Sequence, residues 1–512
     1  IRDVERSRGL GDVYKRQGLT WRSFLALIYS GVVLQPFVWY LALAVGYVNT
    51  GLIVPTTVIL IFSELSYFFG KPIRKQELYI MWAASTVPCE TYMLTLLYNV
   101  WYRNSPISWM FTAPGTNIPL PELIPDWFSP PLNSPVRQMR TLFHPDMILP
   151  IAIYFLGVYF LPTTLCAFSE GFILYEIYRE ENLPFPLQLA QVEAVMTLAE
   201  RSPNKIRILT LCGLISVIYT FFLYGVPLIS GFNITPIPIP WFDFNLELEK
   251  YFPGASLGIA TDLTLYALGL MLPLSLTIWM FVGSFSLYFV GNYFLVNWGI
   301  FEEWRPGMSV ALAFQRSILH IWAGILVGLA IAAGLIPLIR HPKYVIGALR
   351  SITRLSKSGR AGIPPLWLLL TVYLTSATAI VFMTYLLVPS FPIWWSILLT
   401  AWTFLLALIS ARGIGVAGQP ITIPYVRESI LIASGYPNID IWYTPIGSVN
   451  NAEWFVAFYK MAELTGTKPT SYVKANIIGT FLGFMMSLIY LSMFWSIAPI
   501  PSSAYPFTII QW

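Results

Sequence analysis

Eleven apolar runs decide what this chain can fold into, because about 18 consecutive apolar residues make a helix long enough to cross a bilayer. They fall at 23–48, 52–69, 78–102, 147–174, 208–230, 262–279, 281–298, 318–339, 364–388, 391–411 and 476–498. Hydrophobic residues are 56% of the chain and charged residues 11%, whereas a soluble domain carries about 25% charged. Soluble classes are thereby excluded, and the expected fold is an all-α polytopic membrane protein with about 11 transmembrane helices. The net charge of +5 says little by itself, since the placement of basic residues matters more than their sum. No basic face interleaved with aromatics stands outside the apolar runs, which argues against a nucleic-acid partner. Cys89, Cys166 and Cys212 all lie inside apolar runs. Neither a disulfide framework nor a thiolate metal site is expected from them, and no cofactor is implied.

Sidedness turns on residues 262–298, which would be about 55 Å long as one helix and too long for a single crossing. Pro273 and the region of Gly283 offer breaks, so two short spans are expected there. Arg340, Lys343, Arg350, Arg354, Lys357 and Arg360 form a segment without acidic residues, which places it in the cytoplasm. Lys71, Arg74 and Lys75 form a second basic turn, and Arg201, Lys205 and Arg207 a third. The segment 231–261, with Asp243, Glu247 and Glu249, is acidic and faces out. All four assignments agree only if 262–298 crosses twice.

Two stretches between spans are faint copies of each other. One offset (462 − 199 = 263) aligns Ala194 with Ala457, Leu198 with Met461, Ala199 with Ala462 and Glu200 with Glu463. The same offset pairs Ser202 with Thr465 and Lys205 with Lys468. Chance similarity of two amphipathic surface helices is the plain alternative. On the sidedness above both copies are cytoplasmic and six spans separate them, so the halves are parallel rather than inverted. Duplicated halves are a common build of alternating-access transporters.

The chain divides into first-half helices at 18–230, central helices with the basic segment at 231–363, and second-half helices at 364–512. Residues 1–17 are charged, aperiodic and without the apolar core of a signal peptide. They read as a non-native or disordered tail, with an ordinary basic cytoplasmic tail as the alternative. The chain stops in apolar sequence at Trp512, from which a longer parent is expected. The outer loop 103–146 holds nine prolines, which favour an ordered, extended lid.

Three motifs carry a family likeness. Asn182-Leu-Pro-Phe-Pro186 resembles a Leu-x-Tyr/Phe-Pro turn after an early span. Lys460-x-Ala-Glu-x-Thr-Gly-Thr-Lys-Pro469, followed by Ile478-Gly-Thr-Phe-Leu-Gly483, resembles an Asp-x-Lys-Thr-Gly…Pro-Arg segment and its Ile-Gly-Thr helix start. Arg412-Gly-Ile-Gly-Val-Ala-Gly418 is similar to a Gly-rich break ahead of the second copy. Together they resemble the oligopeptide transporter (OPT) superfamily, in a divergent prokaryotic branch, over most of 50–498. Leu187 and the pair Ala462-Glu463 depart from its pattern, which bears on substrate class more than on fold. The resemblance implies a secondary transporter, often proton-coupled, for oligopeptides or metal–chelate complexes.

Glu90 is the leading candidate for proton coupling. It falls at the middle of 78–102, where a charged side chain costs at least ~2.5–3.5 kcal/mol unless paired or protonated. A neutral glutamic acid bonded to a neighbouring carbonyl is the alternative. Glu64 and Glu170 lie nearer the cytoplasmic ends of their runs, within reach of the interface, and rank behind it. Asp262 suits a helix N-terminus. Gly413, Gly415 and Gly418, with Gln419 before Pro420, predict that the helix 391–411 unwinds there, offering backbone groups to a substrate. Arg412 would hold a peptide carboxylate, or else anchor a cytoplasmic loop. Pro184 and Pro186 exclude regular helix, so the turn through Gln188 is either a re-entrant tip or a connector.

Gly254-Ala-Ser-Leu-Gly258 matches the hydrolase nucleophile-elbow string, with His144 and Asp146 on the same outer side. A Pro-broken loop precedes it rather than a strand, so an enzyme is disfavoured. His320 reads as a packed histidine. The leading function is a proton-coupled secondary transporter in the plasma membrane, acting on a small-molecule substrate. A channel or passive pore is the runner-up, and a membrane-embedded hydrolase using Ser256 the third class.

Overall fold

The computed structural model describes residues 16–44, 46, 50–90, 93–113, 115–200, 203–231, 233–340, 343, 346, 364–421, 423, 425–447 and 451–512. Arg201, His341, Arg350, Arg354, Lys357 and Arg360 fall outside them. Eight described helices are long and apolar enough to cross a membrane: Trp21–Ala44, Pro145–Glu180, Pro203–Ile229, Leu274–Asn297, Val310–Leu329, Leu366–Leu387, Ile393–Ala417 and Pro469–Ile497. Ile53–Phe68 is a shorter apolar helix. The protein is a helical, multi-pass membrane protein.

Three expected spans, in two stretches, take a different form. Residues 78–102 are not one helix but Lys75–Ala84 and Leu94–Asn104, with a tight turn at Val87–Cys89 between them. Pro88 within that turn lacks an N–H to continue the ladder, and Glu90 then turns extended at φ −60°, ψ 142°. The stretch 262–298 breaks once, at Pro273, into Leu263–Met271 and Leu274–Asn297, and Gly283 lies inside unbroken helix. Nine residues rise only about 13 Å, too little for a crossing. The residues that follow the stretch nevertheless lie against the loop that precedes it. Val310 N donates to Asp243 at 2.8 Å, Gly307 N to Glu249 at 2.7 Å and Ser256 N to Tyr288 O at 3.0 Å. Both ends are thus tied to one outer loop, which also carries the short ribbon Phe242–Asp243 with Gly258–Ile259.

The tail boundary also moves. Arg16 N donates to Gly466 O at 3.1 Å, and Lys468 N to Arg16 O at 2.9 Å. Arg16 therefore belongs to the folded body rather than to a free tail, while residues 1–15 lie outside the described residues.

The two repeat copies form Pro186–Glu200 and Ala452–Thr465, which pack against each other. The second copy is no surface helix. Ala452, Phe455, Val456, Ala457, Tyr459, Met461, Ala462 and Thr465 are buried, among the large aromatics of the main core. At Gly171 an added Cβ would sit 2.6 Å from Phe455 Cβ and 3.1 Å from Ala452 O. The absent side chain lets Pro145–Glu180 lie directly on this helix. The chain reaches it by a detour. After Gly418 it climbs back through Val426–Ala433, where the Tyr436 hydroxyl bonds Ser390 at 2.6 Å beside the start of Ile393–Ala417. It then descends as Ala452–Thr465. Backbone that turns at such depth is tolerated because protein surrounds it.

The proline-rich loop is ordered in one-turn helices and pinned by Arg103, whose side chain is 6% exposed. Its guanidinium donates to Pro121 O at 3.2 Å, Ser129 O at 2.7 Å and Pro130 O at 3.1 Å, and pairs with Asp126 at 2.8 Å. Arg103→Ala strands three carbonyls and is expected to cost about 2–4 kcal/mol. Limited proteolysis within 104–146 and a lowered thermal midpoint would register it, and unchanged protection would show that the prolines alone hold the lid.

Candidate functional site

The break around Glu90 opens onto a cavity of about 430 Å³. Its structural supports are specific. Cys89 Sγ donates to Ser30 O at 3.1 Å, and Ser487 Oγ reaches Glu90 O at 3.5 Å. Gln35, fully buried on the first span, donates to Gly483 O at 3.0 Å and Ser487 Oγ at 2.8 Å. These bonds clamp the unwound turn between Trp21–Ala44 and Pro469–Ile497, leaving the Glu90 carboxyl facing the cavity.

Both repeat copies line this cavity, the first with Gln191 and the second with Asn451, Trp454, Phe455 and Phe458. Asn476 and Thr480, one turn apart on Pro469–Ile497, add polar groups on one face. Thr480 Oγ1 meets Thr164 Oγ1 at 3.5 Å across the cavity wall. Tyr159, Thr163 and Thr164 come from residues 155–166, where Pro145–Glu180 winds as a π-helix around Pro162. Such windings recur at functional sites because they redirect side chains out of α-helical register. Among the described lining residues there is one carboxylate and no lysine, arginine or histidine. The described lining is therefore polar with a single acidic group.

The other expected site residues go elsewhere. Glu64 is exposed, one turn from the end of Thr50–Phe68. Glu170 lies in a helix that runs on to Glu180, ten residues or about 15 Å beyond it. It is fully buried. The helix expected to unwind at Arg412 instead continues to Ala417 and ends at Gly418, φ +74°. Gly413 and Gly415 are packing glycines. An added Cβ would lie 2.8 Å from Gln419 O at the first and 2.4 Å from Leu183 Cδ1 at the second. The Pro184–Pro186 turn is a connector docked on that helix end, with Phe185 N donating to Gly415 O at 2.8 Å. Gln188 is buried without lining the cavity. None of these residues, nor Arg412, faces Glu90.

Arg412 belongs instead to a set of charged pairs, termed the latch for its place between the two ends of the chain. Arg412 pairs with Glu181 at 2.8 Å, both largely buried. Arg179 bridges Glu176 at 3.5 Å and Glu463 at 3.4 Å, and Lys460 pairs with Glu463 at 3.1 Å. The Tyr175 hydroxyl also donates to Glu463. Residues of the first half thus meet Arg412, Lys460 and Glu463 of the second. Ser256 sits in a separate apolar recess with Phe281, Phe285, Tyr288 and Phe314, and no acid or histidine lines it. His144 caps the helix it precedes, accepting from Asp146 N at 3.3 Å.

A family model described as OPT oligopeptide transporter protein matches residues 115–509. The chain belongs to the OPT family. No curated protein matches it. Family membership and the apolar spans make it an integral membrane transporter, with oligopeptides as the substrate class of the OPT family. The match takes in the latch, both repeat copies and the polar face of Pro469–Ile497, whereas Glu90 lies ahead of it. Sequence reading missed the break at Pro88, although the proline itself was the signal. It also missed Asn476 and Thr480, whose i, i+4 spacing inside an apolar span was visible.

Glu181→Gln is expected to destabilise the OPT chain by about 3–5 kcal/mol by leaving Arg412 buried and uncompensated. Arg412→Met combined with Glu181→Met should recover most of that loss in thermal unfolding. Peptide affinity that falls in the double variant while stability recovers would restore Arg412 as a substrate ligand.

Proposed function

We propose that this OPT member is a proton-coupled symporter of the plasma membrane, carrying oligopeptides or metal–chelate complexes through the chamber beside Glu90. The observation that carries the reading is a single carboxylate at an unwound break within the membrane, facing a cavity to which both repeat copies contribute. Among the described residues no cation lies within ion-pair distance of Glu90. Its charge must then be met by a proton or by a positive group on the substrate, such as a peptide amino terminus or a chelated metal. Symport follows when Glu90 takes the proton and the substrate is held by the neighbouring amide and hydroxyl groups, so that both cross in one loaded state with the break neutralised. Gln191, Asn451, Asn476 and Thr480 are the amide and hydroxyl groups suited to a peptide backbone.

In this reading Pro186–Glu200 and Ala452–Thr465 are equivalent parts of two parallel halves. The latch of Glu181, Arg412, Arg179 and Glu463 closes the cytoplasmic end, and opening it separates first-half from second-half charges. Glu453, 6% exposed in the first turn of Ala452–Thr465, already places a buried carboxyl at that helix end. A substrate carboxylate is therefore not expected there.

Uptake of labelled di- to tetrapeptides into proteoliposomes tests the proposal. Glu90→Gln should abolish accumulation driven by a pH gradient while leaving peptide exchange, because the amide mimics the neutral acid in shape and charge. Glu90→Asp should keep coupling with a shifted pH profile. Accumulation that persists in the Gln variant would move the proton site to Glu170 or Glu64. Wild-type protein that only equilibrates peptide would establish the passive pore.

A further inference from the structure

A second cavity, of about 560 Å³, lies between the proline-rich lid and the spans. We propose that it is an outer binding site for a short peptide bearing an aromatic or bulky apolar side chain, in series with the Glu90 chamber. The inference takes its ligand class from the transport reading and is independent of any role for Glu90.

The lining is aromatic from every direction. Trp127 and Phe128 come from the lid, Tyr98 from Leu94–Asn104, and Trp402 from the middle of Ile393–Ala417. Trp442 and Tyr443 come from the detour that precedes Ala452–Thr465. Phe128 and Tyr443 touch with ring centroids 4.7 Å apart, which joins lid to detour across the top of the chamber. The volume falls within the ~300–1,000 Å³ of small-ligand sites. Rings presented to an open volume from four separate elements offer stacking and edge contacts to a planar side chain.

The polar groups define the ends of the ligand. Arg427 donates Nε to Ile446 O at 2.8 Å and Nη2 to Trp442 O at 3.0 Å and Thr444 O at 2.9 Å. The guanidinium is thus oriented by backbone on one edge. Its Nη1 faces Glu428 at 3.6 Å, beyond hydrogen-bond range. Among the described residues no other acid pairs with it. A loose pair of this kind can admit a zwitterion, with the peptide carboxylate on Arg427 Nη1 and its ammonium on Glu428. A Cβ added at Gly447, φ +69°, would lie 3.4 Å from Arg427 Cδ and Cγ, so the wall beside the Arg427 stem is backbone.

Position makes the chamber a station rather than a dead end. Val158 lines the outer cavity and its neighbour Tyr159 the inner one. Tyr154 of the outer wall and Tyr159 of the inner wall meet edge to face at 5.5 Å and 71°, and form the partition between them.

Titration calorimetry on the full chain in lipid nanodiscs, with Ala-Phe-Ala and tri-alanine as probes, tests this. Wild type and Glu90→Gln should both bind Ala-Phe-Ala at the outer site, more tightly than tri-alanine. Trp402→Ala should weaken Ala-Phe-Ala by about tenfold, the scale of a lost ring contact, with tri-alanine changed little. Thr403→Trp, which fills the chamber from the same helix, should remove the site without removing a core residue. Monodisperse samples of both variants that bind Ala-Phe-Ala as wild type does would overturn the proposal, whatever uptake shows. Binding that survives in Glu90→Gln and falls in both chamber variants upholds it, even if proteoliposome uptake rejects proton coupling.

Discussion

The structure depends on the close approach of two helices at Gly171. Ala452–Thr465 is a 14-residue helix with nearly every face buried, and it fits only because Pro145–Glu180 presents no side chain where they cross. From that contact the aromatic core follows. Phe172 stacks on Tyr459 at 4.0 Å, and Tyr472 packs on Phe455 and Phe458 at 5.3 and 4.8 Å. The Tyr79 hydroxyl donates to Phe458 O at 2.6 Å. The helix also fixes the Glu90 chamber at one end and the charged latch at the other. One buried element therefore carries both a wall of the Glu90 cavity and two residues of the charged pairs.

Much of this was legible in the sequence where long apolar runs and their ends set the answer. Ile393–Ala417 and Pro469–Ile497 follow from hydropathy, whereas the two spans expected in 262–298 are one helix of spanning length, Leu274–Asn297, and a nine-residue piece before it. The motifs around Pro186 and Lys460 led to the family. What hydropathy did not show was depth. Ala452–Thr465 carries Glu453, Lys460 and Glu463 and so reads as a surface helix, yet Glu453 is buried and Lys460 and Glu463 pair with each other, with Arg179 and Tyr175 on Glu463 as well. A pattern of single residues cannot distinguish charges facing water from charges facing each other.

The site residues divided along the same line. Glu90, which lines the cavity, stands out in the sequence because an isolated acid in an apolar run is costly wherever it points. The glycines at 413, 415 and 418 were given to a substrate, but close packing uses the same residue for the same missing Cβ. Only the positions of Leu183 and Gln419 separate the two uses, and those are tertiary facts.

The central helix also has a consequence for how the protein is made. Its residues emerge 285 positions after Glu180 (465 − 180), a delay of roughly 15–60 s at ~5–20 residues per second. Throughout that interval the early spans are inserted while the slot at Gly171 stands unfilled and Arg179 waits for Glu463. The nascent bundle must hold a vacancy lined with aromatics and charge against collapse and against lipid. Such a chain has long-range contacts at its centre and local ones at its rim, the arrangement that makes folding slow. It should therefore lean on the insertion machinery for longer than its span count suggests, and premature closure of that slot is its most direct route to misfolding.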